Sequence, residues 1–380
     1  MHSEHPGKFL LNIGVAIGAV GALLGGRFVD RLGPSAVLRT SLGGCVVGLL
    51  LAALPASWTV LVAALCVVGL FAAVANLALP AYLVRLFPNQ RRRVLSLALV
   101  GSAGLSILYP LIAEGLLKLT SAAGRGGFTL ALHGLFAGTA ILLLVGTLWQ
   151  RFDQRGGGAE RPTPVAETAL LTRSATVLLA ALMALHGAAD LSASVWMPRV
   201  LASASFHRQV LLPGLVSSAY ALAYLIARSL LSAAPETRWR RRLMALPGLL
   251  GGTIFLGGIL TRDQVGTAVG FLAGGCLWAL EYPAFLATLS RAGPRFGRAM
   301  AAASAAGGVG GFLFSTALGA LGDRWGDTEL WRMLILPAVA FQLTGLGGLW
   351  WVLKHGRSLA PALDHSSANL AIEAGTGPKP

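Results

Sequence analysis

Charge is scarce in this chain. Only 12% of its 380 residues are charged, and just 15 of them are acids. Soluble domains carry about twice that share, so an ordinary water-soluble domain is excluded. Cysteine is nearly missing: Cys45, Cys66 and Cys276 all lie inside apolar runs, which excludes a disulfide framework and a zinc site built on them. A phosphate loop is also lacking. The stretch Gly307–Gly311 (GGVGG) has no Lys-Ser/Thr after it, so it reads as a packing motif inside a span. No metal-ligand cluster and no nucleophile triad appears, so no metal, no cofactor and no enzymatic activity are expected. The short alternating segments of a membrane β-barrel are missing too. Met1–Lys8 is too short and polar for a signal peptide, and no small-residue cleavage site follows the first apolar run.

What the chain has in abundance is apolar sequence. Hydrophobic residues make up 55% of it, and the mean hydropathy is +0.70. The apolar residues fall in long blocks, and a block of about 18 residues crosses a bilayer as a helix. Eleven spans are expected, at 9–26, 37–54, 59–84, 94–117, 129–149, 174–197, 211–232, 243–260, 265–289, 299–320 and 333–353. The 49 glycines suit a helical membrane bundle, where small residues let backbones approach. The fold class read from these features is an all-α polytopic membrane protein with the lipid bilayer as its medium.

The net charge of +15 raises the question of nucleic acid, and its placement answers it. One set of alternate loops, with the C-terminal tail, holds 21 Lys and Arg residues and the other set holds 7. Basic residues mark cytoplasmic loops, so the C-terminus is placed inside and the N-terminus outside, in a plasma (inner) membrane. The basic residues form a topology pattern rather than a binding stripe, and no nucleic-acid partner is expected.

Leu79–Leu86 (LPAYLVRL) and Tyr282–Leu289 (YPAFLATL) repeat Pro-Ala-aromatic-Leu at an offset of 203 residues. Each copy ends a span and runs into a basic loop. Parallel duplication of two halves is a transporter architecture. The expected division is an N-terminal bundle at 1–149, a linker at 150–173, a six-helix C-terminal bundle at 174–354 and a disordered tail at 355–380. The offset places the partner of the span at 174 before Met1. The halves are thus expected to hold five and six helices, with the first helix of the usual set missing from the chain as given. A start codon assigned too late and a true absence both account for that.

The loop Gly25–Leu38 (GGRFVDRLGPSAVL) resembles the signature loop of the major facilitator superfamily, through Gly26, Arg27, Asp30, Arg31 and Gly33. The usual basic pair after the last Gly is replaced by Pro34 and Ser35. A second match, Gly319–Gly326 (GALGDRWG), falls on an outer loop and reads as a look-alike. The stretches GLFAAVANLALPAYLVRLFP, HGAADLSASVWMPRVL and EYPAFLATL are similar to the fucose/glucose–proton symporter branch. The resemblance implies two pseudo-symmetric helical bundles, a cytoplasmic latch at the signature loop, and a central cavity lined by the first, fourth, seventh and tenth helices. It departs from the branch where Ala73 and Val74 replace an expected fourth-helix acid.

Ionisable groups inside spans are costly and so mark function. Glu114, His186, Asp190 and Glu281 are such groups. His186 and Asp190 are four apart and share a helix face, so they could relay a proton or form a structural couple. Asp190 and Glu281 are expected at different depths and not in contact. Glu281 precedes Pro283, where a local break is expected, and Trp278 and Tyr282 flank it. Flat rings beside an acid suit a sugar or another polar ring, and an interfacial acid is the alternative. Asn76 is a solute hydrogen-bonder or a packing residue, Trp196 a belt residue, and Glu114 a snorkelling surface acid.

Together these readings imply a secondary active transporter of a small polar solute, possible sugars included, working by alternating access as a monomer with a proton as possible coupling ion. The alternatives are an exporter of hydrophobic compounds and a non-transporting or degraded membrane paralogue.

Overall fold

The computed structural model describes residues 6–54, 57–87, 90, 91, 93–101, 107, 112, 124–149, 171–206, 210–233, 240–291 and 296–355. The helices are α1 (Pro6–Leu32), α2 (Pro34–Ala53), α3 (Trp58–Leu86), α4 (residues 93–101) and α5 (Gly124–Trp149). They continue with α6 (Arg173–Leu201), α7 (Pro213–Ala233), the single turn α8 (Arg240–Leu243) and α9 (Leu246–Leu260). α10 (Gln264–Trp278), α11 (Glu281–Leu289), α12 (Phe296–Trp325), a 3-10 turn at Leu330–Leu334 and α13 (Ile335–His355) complete the chain. Among the described residues there is no strand.

Ten of the eleven expected spans coincide with helices, and the other, at 94–117, begins as α4 and continues outside the described residues. By length and composition seven helical segments qualify as membrane spans among the described residues, and Leu132–Val145 and Leu246–Leu260 are shorter apolar helices. The reason is the one the sequence supplies: without water, backbone N–H and C=O groups are satisfied only inside a helix. The outward faces are leucine-rich, as at Leu130, Leu142, Leu212 and Leu230. The protein is therefore an integral, multi-pass membrane protein.

Two differences from expectation carry information. The span expected at 265–289 is two helices, α10 and α11, separated by a turn at Ala279–Leu280. Pro283 has no N–H for the carbonyl of Ala279 and its ring crowds that carbonyl, so the break falls one helical turn before it. The last span is preceded by the 3-10 turn at Leu330–Leu334.

In the first half α1 and α2 both pack on α3, and α2 also packs on α5. In the second half α6 packs on α12 and α13, α9 on α10 and α13, and α7 on α10. Small residues set these approaches. At the α9–α10 crossing a β-carbon at Gly258 would lie 2.8 Å from the Gly270 Cα, so nothing larger than Gly fits the pair. Gly307, Gly310 and Gly311 of the GGVGG stretch pack against Ala184, Ala188 and Leu191 of α6.

The halves meet through α1 on α12. Among the described residues there are two hydrophobic cores. One draws on α1, α2, α3, α4, α6, α11, α12 and α13, and its members lie at the arginine-rich ends of those helices: Val29, Val37, Val84, Leu95, Leu179, Leu289 and Met300 belong to it. The other, with Met197, Tyr220, Phe271, Trp278 and Phe341, lies within the second half. The described halves are thus packed together at the arginine-rich end.

Candidate functional site

Most of the buried polar side chains belong to the second half, and its ionisable groups fall into two networks. The first is built on Glu281, the first residue of α11. The break before Pro283 lets α11 start inside the bundle, which turns this carboxylate inward. Its Oε2 lies 2.8 Å from His186 Nδ1 on α6 and 2.9 Å from Thr344 Oγ1 on α13. Glu281 is 0% exposed and His186 2%. Gly248 on α9 makes the space: a β-carbon there would collide with the carboxylate and lie 2.8 Å from the Phe341 carbonyl. The Thr344 hydroxyl also lies 2.8 Å from Phe341 O, so one proton serves two acceptors. The two groups are each other's partner in the hydrogen bond, and at this burial leaving either one without the other would be costly.

The second network is built on Asp190, one helical turn further along α6. Its Oδ1 accepts from Tyr220 and from Tyr224 on α7, the latter at 2.7 Å. The two hydroxyls are 2.8 Å apart, and Trp278 Nε1 donates to Tyr220 at 2.9 Å. Hydrogen-bond donation therefore runs from Trp278 through Tyr220 to Asp190. Arg228, one turn beyond Tyr224, places its guanidinium carbon 4.5 Å from the Tyr224 ring centre. The Tyr282 hydroxyl is within electrostatic reach of both Arg228 and Asp190.

Aromatic rings hold the networks apart and in register. Trp278 stacks on Phe341 at 3.9 Å and 7°. Phe341 in turn meets the His186 ring edge-on at 5.4 Å, and Tyr282 lies on its other flank at 5.7 Å.

His186 and Asp190, read as a pair from their spacing, thus have different partners. Asp190 and Glu281 belong to separate networks. Trp278 is 0% exposed, with its face covered by Phe341 and its N–H taken by Tyr220, so in this conformation it is a core residue and offers no open face to a solute. Glu281 is enclosed in the same way. Tyr282 is half-buried and Asn76 exposed. Trp196 packs against Gly319 and stacks with Arg199 at 5.6 Å. Glu114 lies outside the described residues. Sequence reasoning passed over Tyr220, Tyr224 and Arg228. Their signal was present: spacing of four puts all three on one face of α7, and Arg228 is a charge inside a span.

At the arginine-rich end, Asp30 Oδ2 of α1 lies 3.8 Å from Arg298 Nε of α12, and Arg85 adds a second positive charge nearby. Arg27 and Arg31 are exposed and Gly26 is buried. Gly33 has φ of 82° just before Pro34 starts α2, a conformation glycine adopts without strain. Three further contacts cross the halves here: Arg91 Nη1 to Ser290 O at 3.1 Å, Ser96 Oγ to Arg228 O at 2.8 Å, and Arg228 Nη1 to Leu99 O at 3.5 Å.

The sequence profile of the Major Facilitator Superfamily matches residues 7–207. The chain belongs to this superfamily. No curated protein sequence matches it. Three solved structures that it resembles are transporters or symporters. The transporter FucP in the outward conformation aligns with a TM-score of 0.70 at 14% identity, over 92% of this chain and 91% of FucP. A variant of FucP, the E. coli fucose:proton symporter, aligns at 0.68 and 13%, over 90% of each chain. The proton:xylose symporter XylE bound to 6-bromo-6-deoxy-D-glucose aligns at 0.68 and 14%, over 88% of this chain and 84% of XylE. At these identities the likeness is one of fold: two pseudo-symmetric helical bundles, with this superfamily member's two polar networks lying mainly in the second.

Proposed function

We propose that this protein is a secondary active transporter that moves a small polar solute by alternating access, with a proton as coupling ion. The halves are residues 1–149 and 174–354, joined by a linker at 150–173 and followed by a tail at 355–380. The arginine-rich end is the cytoplasmic face of a plasma (inner) membrane, the C-terminus lies on that face, and the working unit is a monomer. The Asp30–Arg298 contact and the core shared by the halves then close the cytoplasmic side. The likeness to FucP in its outward conformation supports that assignment.

The observation that carries this reading is the Asp190 network. A half-buried carboxylate held by two tyrosine hydroxyls inside a membrane bundle suits a polar solute far better than an apolar one. Its neighbour, the His186–Glu281 pair, is buried out of contact with water and would carry the coupling proton. Rocking of the halves would expose that pair and release the proton, which couples the motion to a proton gradient. Uptake by the sugar:proton symporters of the same fold makes hydroxylated solutes the first to test.

Reconstitution into proteoliposomes with an imposed pH gradient tests it. Solute uptake is expected to follow the gradient, to stop on adding a protonophore, and to fall to background in Asp190→Asn. In Glu281→Gln, counterflow is expected to continue while gradient-driven uptake is lost. Gradient-independent uptake, or export of apolar dyes with no uptake of polar solutes, would sink the reading.

A further inference from the structure

In the first network the acid has a cationic or neutral partner in His186, whereas in the second Arg228 has no acid in contact with it. This side chain is 8% exposed. A guanidinium has five N–H donors and no acceptor. Here Nε has no hydrogen-bond partner, and one Nη makes a bond of 3.5 Å to the Leu99 carbonyl. Among the described residues no carboxylate lies within ion-pair distance of it. Asp190 reaches it only through the Tyr224 ring, whose hydroxyl bonds Asp190 and whose face carries the cation. A buried cation held this loosely is costly unless an anion completes it.

Its place in the fold is at the meeting of the two halves. Arg228 lies on α7 against α4 of the opposite half, and Ser96 of α4 fixes its backbone carbonyl. The Tyr224 ring lies against it, and Tyr282 of α11 is within electrostatic reach. Planar N–H pairs match a carboxylate in two-point contact, and phenol hydroxyls beside them match alcohol groups.

We propose that Arg228 is the anion-binding residue of the transport site, and that the solute is a small hydroxylated monocarboxylate, such as a sugar acid. This rests on the transporter reading above. The carboxylate takes the free guanidinium edge, and the hydroxyls take Tyr282 and the Asp190 network. The long bond to Leu99 is then the one the solute displaces, so binding loosens a contact that holds the halves together.

Thermal unfolding of the full chain in detergent, with D-glucuronate and D-gluconate against D-glucose, L-fucose and sodium chloride at equal ionic strength, tests the site. The two acids should raise Tm and the neutral sugars and salt should not. Arg228→Gln should abolish that shift. Arg228→Lys, which keeps the charge but loses the two-point contact, should weaken acid binding by about tenfold or more. Neutral sugars shifting Tm as much as the acids, an unchanged acid response in Arg228→Gln when that variant unfolds normally, or no shift from any of the panel would each overturn the site. If Arg228→Gln does not fold, the unchanged response of Arg228→Lys would do so. The transporter reading fails separately: acids that bind through Arg228 but never accumulate in proteoliposomes would remove transport and leave the site standing. Proton-driven uptake of neutral sugars with no competition from the acids would do the reverse.

Discussion

The two halves carry the same short repeat and do opposite things with it. At the 203-residue offset, Ala78 of α3 corresponds to Glu281 of α11, and Pro80 corresponds to Pro283. Both Ala78 and Glu281 are 0% exposed. Yet α3 runs unbroken through Pro80, while the second copy is split into α10 and α11. In α3, 11% of the apolar stretch is buried, against 61% in the Gln264–Leu289 segment. Proline alone therefore does not decide the break. In the second half the segment after the break is anchored by an acid whose partners, His186 and Thr344, come from two other helices. In the first half the corresponding residue is a methyl group and nothing rewards a change of direction. Chemistry concentrates in one repeat, and the other serves as packing.

Breaking that asymmetry should have its largest effect at the buried pair. His186→Ala leaves Glu281 buried without its partner and should cost about 3–5 kcal/mol, whereas Asn76→Ala on the exposed face of α3 should stay within about 0.5 kcal/mol. Chemical unfolding in detergent reads both. Replacing His186 and Glu281 together by Leu should recover most of the loss, and a double variant as weak as the single one would show that the pair is not what the site depends on.

A smaller effect is expected from Gly248→Ala. The added methyl collides with the Glu281 carboxylate and the Phe341 carbonyl, and overpacking of this kind costs about 1–3 kcal/mol. The same measurement should show Glu281→Ala rescuing part of it, since the clash is then relieved.

The finest probe compares the two prolines. Pro283→Ala restores the N–H that the Ala279 carbonyl lacks and should let α10 run into α11, slowing amide exchange at 279–283. Pro80→Ala, in a helix already continuous, should leave exchange in α3 nearly as it was. Equal responses would mean that the repeat, and not its surroundings, sets the break.

Much of the architecture could be read along the chain. Helices in lipid must satisfy their own backbone, so ten of the eleven apolar blocks coincide with helices, one of them split into α10 and α11, and the proximity of Pro283 to a break was evident from covalent geometry. The candidate site was only half legible. Helical spacing showed that His186 and Asp190 share a face of α6, but it could not show what each faces. Tyr220, Tyr224 and Arg228 gave a spacing signal as good as theirs, hidden because tyrosines are ordinary in membrane helices and the arginine stood alone.

The sequence by itself determined that this is an all-helical membrane protein, roughly where each helix begins and ends, and which end of the bundle is arginine-rich. Those are properties of single segments, set by hydropathy and by backbone hydrogen bonding within one helix. Only the tertiary structure decided that Glu281 pairs with His186, that Asp190 pairs with two tyrosines, that Trp278 is sealed against Phe341, and that Arg228 is buried with its Nε unpartnered among the described residues. Such pairings depend on the rotation and tilt of each helix against its neighbours. Those are fixed by close contacts between distant residues, Gly248 against Glu281 and Gly258 against Gly270, which spacing along one chain segment does not encode.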